Sequence, residues 1–526
     1  MRTPISSSSP LVLLVSAALL AGCVSPASSP ELAPPDPPGA SPAVEAARRF
    51  REAHGAAILA DFAELLRIPN VASDLVNIRR NAEAIQSRLA ARGVRTALWE
   101  LDGVPPIVFG RLDAPGADRT IGIYVHYDGQ PVDPTRWLQS PWEPTLYTRE
   151  PSAGGTRRAL PEPGEPIDPE WRLYARAAGD DKAPIAALCA ALDALEAAGI
   201  SRTVNVVFFF EGEEEAGSPN LARYLDLHAA ELDVDAWLIC DGPVHASRRP
   251  QLVFGVRGIV GLEITVYGAL RSLHSGHYGN WAPNPGMLLA QLLASMKDAD
   301  GNVLVEGFHD GNAPLGARER AAIAATPDVD ASLREELGLA RTEGDGQTLA
   351  ERLLLPSLNV RGLESASVGA SARNVIPNRA TASLDLRLVR GNDPTVQCEL
   401  VEEHVRRQGF HVVREDPDRA TRLRHARIAK VTRRGGYPAA RTPMDAWIVA
   451  PLVEAAWSAA GEEPVLVPSL GGSLPLYLFT ERNEAPLIVL PIANHDDNQH
   501  APDEHIRIAN LWYGIDLFAA VLTMEP

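Results

Sequence analysis

Five short stretches of this chain bring carboxylates and imidazoles together in patterns suited to metal-ion chemistry. Val125-His126-Tyr127-Asp128 closes an apolar run, and His126 and Asp128, two apart, point the same way in extended chain. Gly179-Asp180-Asp181-Lys182 stands just before an alanine-rich helical stretch. Phe210-Glu211-Gly212-Glu213-Glu214-Glu215-Ala216-Gly217-Ser218 follows a second apolar run, and Cys240-Asp241-Gly242 a third. Asn498-Gln499-His500-Ala501-Pro502 lies in a loop beyond a fourth. Singly, each has a plain reading as a solvated pair, a turn or a helix cap. Together they offer oxygen and imidazole ligands without thiolate, which suits zinc, manganese or cobalt. A set rich in carboxylates with two histidines can also hold two ions that share one carboxylate.

The elements that must position these groups are legible from periodicity. Residues 120–125, 204–210, 236–240 and 487–490 are continuous apolar runs, as expected for strands buried on both faces. Residues 43–66, 78–92 and 183–198 have helical spacing; Pro184 near the start and Gly199 just past the end bound the last of these. Strands alternating with helices predict an α/β fold with a largely parallel sheet. In such a sheet ligands bind outside the carboxyl ends of the strands, where these acids and histidines fall. Residues 252–434 read differently. Strands over 261–267, 380–388 and 411–414 and helices over 284–297 and 393–407 predict a smaller α+β domain inserted into the larger one. The expected catalytic domain then comprises residues 43–251 and 435–526. A Pro/Gly-rich surface loop is expected over 154–168.

Composition narrows the partners. The 526 residues carry 49 Lys plus Arg against 67 Asp plus Glu, a net charge of −18, so nucleic acid is not an expected partner. Apolar residues make up 45% and charged residues 22%, enough for a sizeable core. Cys23, Cys189, Cys240 and Cys398 include no C-x-x-C pair, which excludes a cysteine-built zinc module and a disulfide scaffold. At the N-terminus, residues 11–20 are apolar but far short of a membrane span, and Leu20-Ala21-Gly22-Cys23 follows. Residues 1–22 are therefore expected to be a signal peptide. The residues before Cys23 resemble a bacterial lipoprotein cleavage box, which implies a lipidated Cys23. The seven prolines between Val24 and Pro42 make residues 23–42 an extended tether. The expected location is the cell envelope, lipid-anchored. Val24 after the lipid-bearing cysteine is, by analogy, compatible with the periplasmic face of the outer membrane.

From about Ala43 to the C-terminus the chain resembles the co-catalytic dizinc metallopeptidase family of carnosinase, cytosolic nonspecific dipeptidase, glutamate carboxypeptidase and the aminoacylases. The motifs that carry the resemblance are His126-x-Asp128, Asp180-Asp181-Lys182, Glu214-Glu215-x-Gly217-Ser218, Asp241 and His500, in the family's order. The resemblance implies two divalent ions, zinc first and manganese or cobalt as alternatives. Asp180 would bridge them, with His126 and Asp241 completing one site and Glu215 and His500 the other. It also implies Glu214 as general base, Asp128 as the carboxylate that orients His126, and a cis Asp180–Asp181 peptide. Leu273-His274-Ser275-Gly276 matches the motif that supplies an oxyanion donor, often across a dimer interface, from what is then a lid and dimerisation domain. Arg387 matches the carboxylate-binding arginine, Asn374 a position that helps hold substrate or oxyanion, and Gly471-Gly472-Ser473 a loop facing the substrate carboxylate.

Two departures stand out. The family pattern has Gly-Arg-Gly ahead of the aspartates and glycine after the lysine, where this chain has Ala175-Arg176-Ala177 and Ala183. The segment from His126 to Asp180 is also longer than usual. The leading expectation is a dipeptidase or carboxypeptidase acting on short peptides. Deacylation of N-acyl amino acids at the same site is one alternative, and a tethered binding protein without catalysis is another.

Overall fold

The computed structural model describes residues 39–344 and 346–525. The signal peptide, Cys23 and the tether up to residue 38 lie outside the described residues. Pro42, expected in the tether, instead begins the helix Pro42–Leu66, where its missing N–H costs nothing and Ser41 caps the first turn.

The larger sheet has eight strands, and its centre explains the site. Asn205–Glu211, Thr120–His126, Ala236–Ile239 and Leu487–Val489 lie side by side in that order and run parallel. Their carboxyl ends therefore meet at one edge. Antiparallel strands flank them: the hairpin Arg95–Trp99 with Ile107–Leu112 on one side, and Gln251–Val253 on the other. Apolar residues on both faces let the sheet be covered twice. Pro42–Leu66, Ala183–Ala198 and Ile508–Leu522 pack over one face, and Leu221–Leu227 and Tyr477–Thr480 over the other. Gly199 closes Ala183–Ala198 at φ 65°.

The long segment after His126 is not merely loop. Thr145–Tyr147, Arg157–Arg158 and Arg172–Tyr174 form a small antiparallel sheet, and His505–Arg507, just beyond the His500 loop, joins it. This sheet ties the two loops that carry Asp180 and His500 to one another.

The smaller layer is a five-stranded sheet in the order Ser357–Glu364, Arg379–Leu388, Gly258–Tyr267, Ile428–Tyr437 and His411–Val413. Helices Pro285–Ala294 and Pro394–Arg407 cover one face through Leu289, Leu292, Cys398 and Val401. The chain enters this layer at Arg257 and leaves after Tyr437, and the paired strands Gly255–Val256 and Ala440–Arg441 set those two crossings side by side. Ala317–Ala325 packs back on the larger sheet, with Ala322 in its core. No helix among the described residues is long and apolar enough to cross a membrane.

Candidate metal centre

Five of the expected ligands converge at the carboxyl edge of the parallel strands. His126, Asp180 and Asp241 offer ligand atoms all within 4.8 Å of one another, and so do Asp180, Glu215 and His500. Asp180 belongs to both groups. Its Oδ1 lies 2.8 Å from His126 Nε2 and its Oδ2 3.1 Å from His500 Nε2, while His500 Nε2 is 3.2 Å from Glu215 Oε2. The Asp180–Asp181 peptide is cis. Both imidazoles thus face one carboxylate whose two oxygens point in different directions, the arrangement of a bridge.

The acidic run 211–215 divides its labour. Glu211 ends a buried strand and accepts the Tyr124 hydroxyl at 2.7 Å. Glu213 accepts the Asn220 N–H at 2.9 Å and so secures the start of Leu221–Leu227. Only Glu214 and Glu215 turn towards the centre. Asp128 aims them: its Oδ1 accepts the Glu214 N–H and its Oδ2 the Glu215 N–H, each at 3.1 Å, and Oδ1 also lies 3.4 Å from His126 Nδ1. One buried carboxylate therefore orients an imidazole and holds the backbone of the expected base.

The electrostatics fit a cation. Among the described residues, no lysine or arginine lies within ion-pair distance of Asp180, Glu214, Glu215 or Asp241; their near partners are His126 and His500. Burial, then the neighbouring Asp180 and Glu215 charges, push the Asp241 carboxyl up to about 7 despite His126. Burial opposes charging His126, but Asp128 and Asp180 outweigh it and hold its pKa well above the usual value. Asp180 and then Glu215 hold His500 up to about 10. So many carboxylates at one spot, balanced only by two imidazoles, is a donor set short of positive charge, and divalent ions would supply it.

The substrate-side residues form a second group, at the crossing between the layers. Arg387 Nη1 donates to Ser473 Oγ at 2.8 Å, its Nε lies 3.3 Å from Asp385 Oδ2, and Gly472 accepts the Arg257 N–H. His274 and Asn374 stand together elsewhere: His274 pairs with Val375, and the Asn374 carbonyl accepts the Ser275 N–H. His274 Nδ1 accepts the Gly276 N–H, and its ring is exposed, without an ion pair or hydrogen bond to the carboxylate centre. The structure thus joins Arg387 to Ser473 within the chain, and leaves His274 and Asn374 on an outward surface.

Comparison with known proteins shows the family of the chain. Residues 122–524 match the peptidase family M20/M25/M40. This chain belongs to that family. The Cys-Gly metallodipeptidase of Schizosaccharomyces pombe is 26% identical over 468 residues, covering 86% of this chain and 92% of that protein. The Beta-Ala-His dipeptidase of Homo sapiens is 28% identical over 426 residues, covering 79% of this chain and 77% of that protein. The solved structure of an M20 family metallo-carboxypeptidase from Sulfolobus solfataricus matches with a TM-score of 0.70 at 26% identity, over 88% of this chain and 98% of that one. M20 peptidases use divalent metal ions, and the carboxylate–imidazole cluster is the part of this chain suited to them.

Within this M20 chain the structure adds residues that sequence reasoning missed. Gln499 Nε2 donates to Asp180 Oδ2 at 2.9 Å, and Gln130 Nε2 to Glu215 Oε2 at 2.7 Å. Glu504 matters most. Wholly buried, it accepts the N–H groups of Gly179 and Asp180 on Oε1, and the N–H of Ala177 and Arg176 Nη1 on Oε2. Its one sequence signal is an acid four residues after His500. This also resolves the departure at Ala177. The residue replaces the family's glycine yet sits at φ 61°, a region where a side chain is disfavoured. The bond from its N–H to Glu504, at 3.1 Å, holds it there.

Proposed function

We propose that this chain hydrolyses the peptide bond of dipeptides and short peptides, with two zinc ions held by His126, Asp180, Glu215, Asp241 and His500. The observation that carries this is Asp180, shared by two groups of three ligands. When bound, the ions would lower the pKa of a water and polarise the scissile carbonyl. Glu214 takes the proton of the attacking water and passes it to the leaving amine. Arg387, always charged and planar, receives the substrate carboxylate, and Ser473 keeps its guanidinium in place. The names of relatives that act on Cys-Gly and on beta-Ala-His support a small substrate. Purified, metal-loaded protein should turn over Cys-Gly and beta-Ala-His faster than N-acetyl amino acids. A preference for the N-acyl panel would replace the peptidase reading with deacylation, and turnover of neither would leave a binding protein.

The same reading extends to assembly and location. Ser357–Glu364 is the edge of the smaller sheet, and Val360 and Leu363 on it are exposed, as are Trp281, Met287 and Val368. A long unprotected edge invites pairing with another strand, and a second copy across a two-fold axis would cover it. We take this as the dimer surface, with His274 of one subunit serving the other's centre. Cys23 carries the proposed lipid anchor, on the periplasmic face of the outer membrane. The Cys23→Ala chain should leave the membrane fraction and sediment as a dimer; Leu363→Lys in that background should give monomers. Persistent membrane association would overturn the anchor, and a monomeric Cys23→Ala chain the dimer.

A further inference from the structure

The strand register places a residue with no assigned role beside Arg387. Ile259 pairs with Arg387 on one side and with Tyr437 on the other. The three residues form one rung, and directly paired residues in antiparallel strands project from the same face. That face is opposite the one covered by Pro285–Ala294 and Pro394–Arg407, since Leu384, Leu386, Leu388, Val260 and Leu262 fill the covered side. Arg387 and Tyr437 therefore rise together, with backbones about 10 Å apart, two strand spacings. The Tyr437 ring lies against Tyr477 of the larger layer, with centroids 5.4 Å apart and planes 14° from parallel. This stack spans the crossing between the layers and fixes where the Tyr437 hydroxyl points.

That hydroxyl stands within reach of the charges of both Glu214 and Arg387. Burial raises the Tyr437 hydroxyl pKa to about 12; the Glu214 charge adds to the rise and the Arg387 charge opposes it, so it feels both, and it has no hydrogen-bond partner among the described residues. The Arg387 end is also rich in positive charge. The buried Arg257 guanidinium spends its Nη2 on the Leu355 carbonyl and Ser357 Oγ rather than on a carboxylate, and Asp385 is the nearby counter-charge to both arginines.

We propose that Tyr437 is a substrate-binding residue that donates its hydroxyl to the substrate's free α-carboxylate beside Arg387, with Tyr477 holding the ring in place. The inference rests on the peptidase reading and deepens it: two donors at this end select substrates whose leaving residue carries an unblocked carboxylate. An ester or amide cap would remove the charge that both donors recognise and leave only a neutral carbonyl to accept.

The test compares wild type and Tyr437→Phe on a dipeptide and on the same dipeptide with its C-terminus amidated. Phenylalanine keeps the stack and removes only the donor. A hydrogen bond to a charged group is lost, so KM for the free dipeptide should rise about tenfold with kcat within about twofold. On the amidated substrate, whose neutral carbonyl accepts more weakly, the two proteins should differ by no more than about threefold. Tyr477→Ala, which frees the ring, should raise KM for the free dipeptide in the same direction. An unchanged KM in Tyr437→Phe, a fall in kcat alone, or an equal loss on the amidated substrate would overturn the proposal while leaving the peptidase reading intact. A wild-type protein that cleaves no peptide would overturn both.

Discussion

Glu214→Gln should lower kcat on a cleaved dipeptide by about 10²–10⁴-fold while the protein keeps its full complement of metal. Glu214 stands outside both groups of ligand atoms, so the substitution takes nothing from ion binding. Its backbone is held by Asp128 rather than by its own side chain, so glutamine should occupy the same place. What is lost is basicity. A glutamine amide in the same place can neither take a proton from water nor return one to an amine. Steady-state kinetics with metal analysis on the same sample measure both quantities. Full activity in Glu214→Gln would refute the assignment; loss of metal together with activity would make Glu214 a ligand instead.

Glu504→Gln should cost about 3–5 kcal/mol of stability and about 10–100-fold in metal affinity. Four donors converge on the Glu504 carboxylate, and one of them, Arg176, is itself buried at 2.6 Å. An amide would turn its own N–H₂ against two of those donors and leave the guanidinium unpaired. Two of the donors are the N–H groups of Gly179 and Asp180, so the shared ligand would lose the anchor of its backbone. Burial draws the Glu504 pKa up and Arg176 opposes the rise, so the guanidinium is what favours the charged carboxylate here. Thermal unfolding of the metal-free protein and competition for zinc with a chelating dye separate the two effects. A lower melting point with unchanged zinc affinity would make Glu504 structural only. Arg176→Met combined with Glu504→Gln should cost less than the sum of the two, since the second change removes a charge the first has stranded.

The chemistry-bearing residues were legible because strands buried on both faces announce themselves as unbroken apolar runs. Parallel strands send their carboxyl ends to one edge, so His126, Glu214, Glu215 and Asp241 had to gather there. The helix Ala183–Ala198 was equally plain, with its proline and glycine at the ends. In the smaller layer legibility fell. Ser357–Glu364 and Ile428–Tyr437 were missed because one is an exposed edge and the other ends in Arg433-Arg434-Gly435-Gly436, so neither shows a clean apolar alternation.

What the amino-acid order determined alone was the class of chemistry and the residues able to perform it, since side-chain type and strand periodicity are local properties. What only the folded chain decided was partnership. How Asp128 turns Glu214 and Glu215 towards the centre, why Ala177 tolerates a glycine conformation, and how Tyr437 comes to share a rung with Arg387 all depend on backbone N–H groups and strand registers supplied from remote parts of the sequence. A hydrogen bond to distant main chain leaves no mark on residue identity, because every residue but proline carries the same donor.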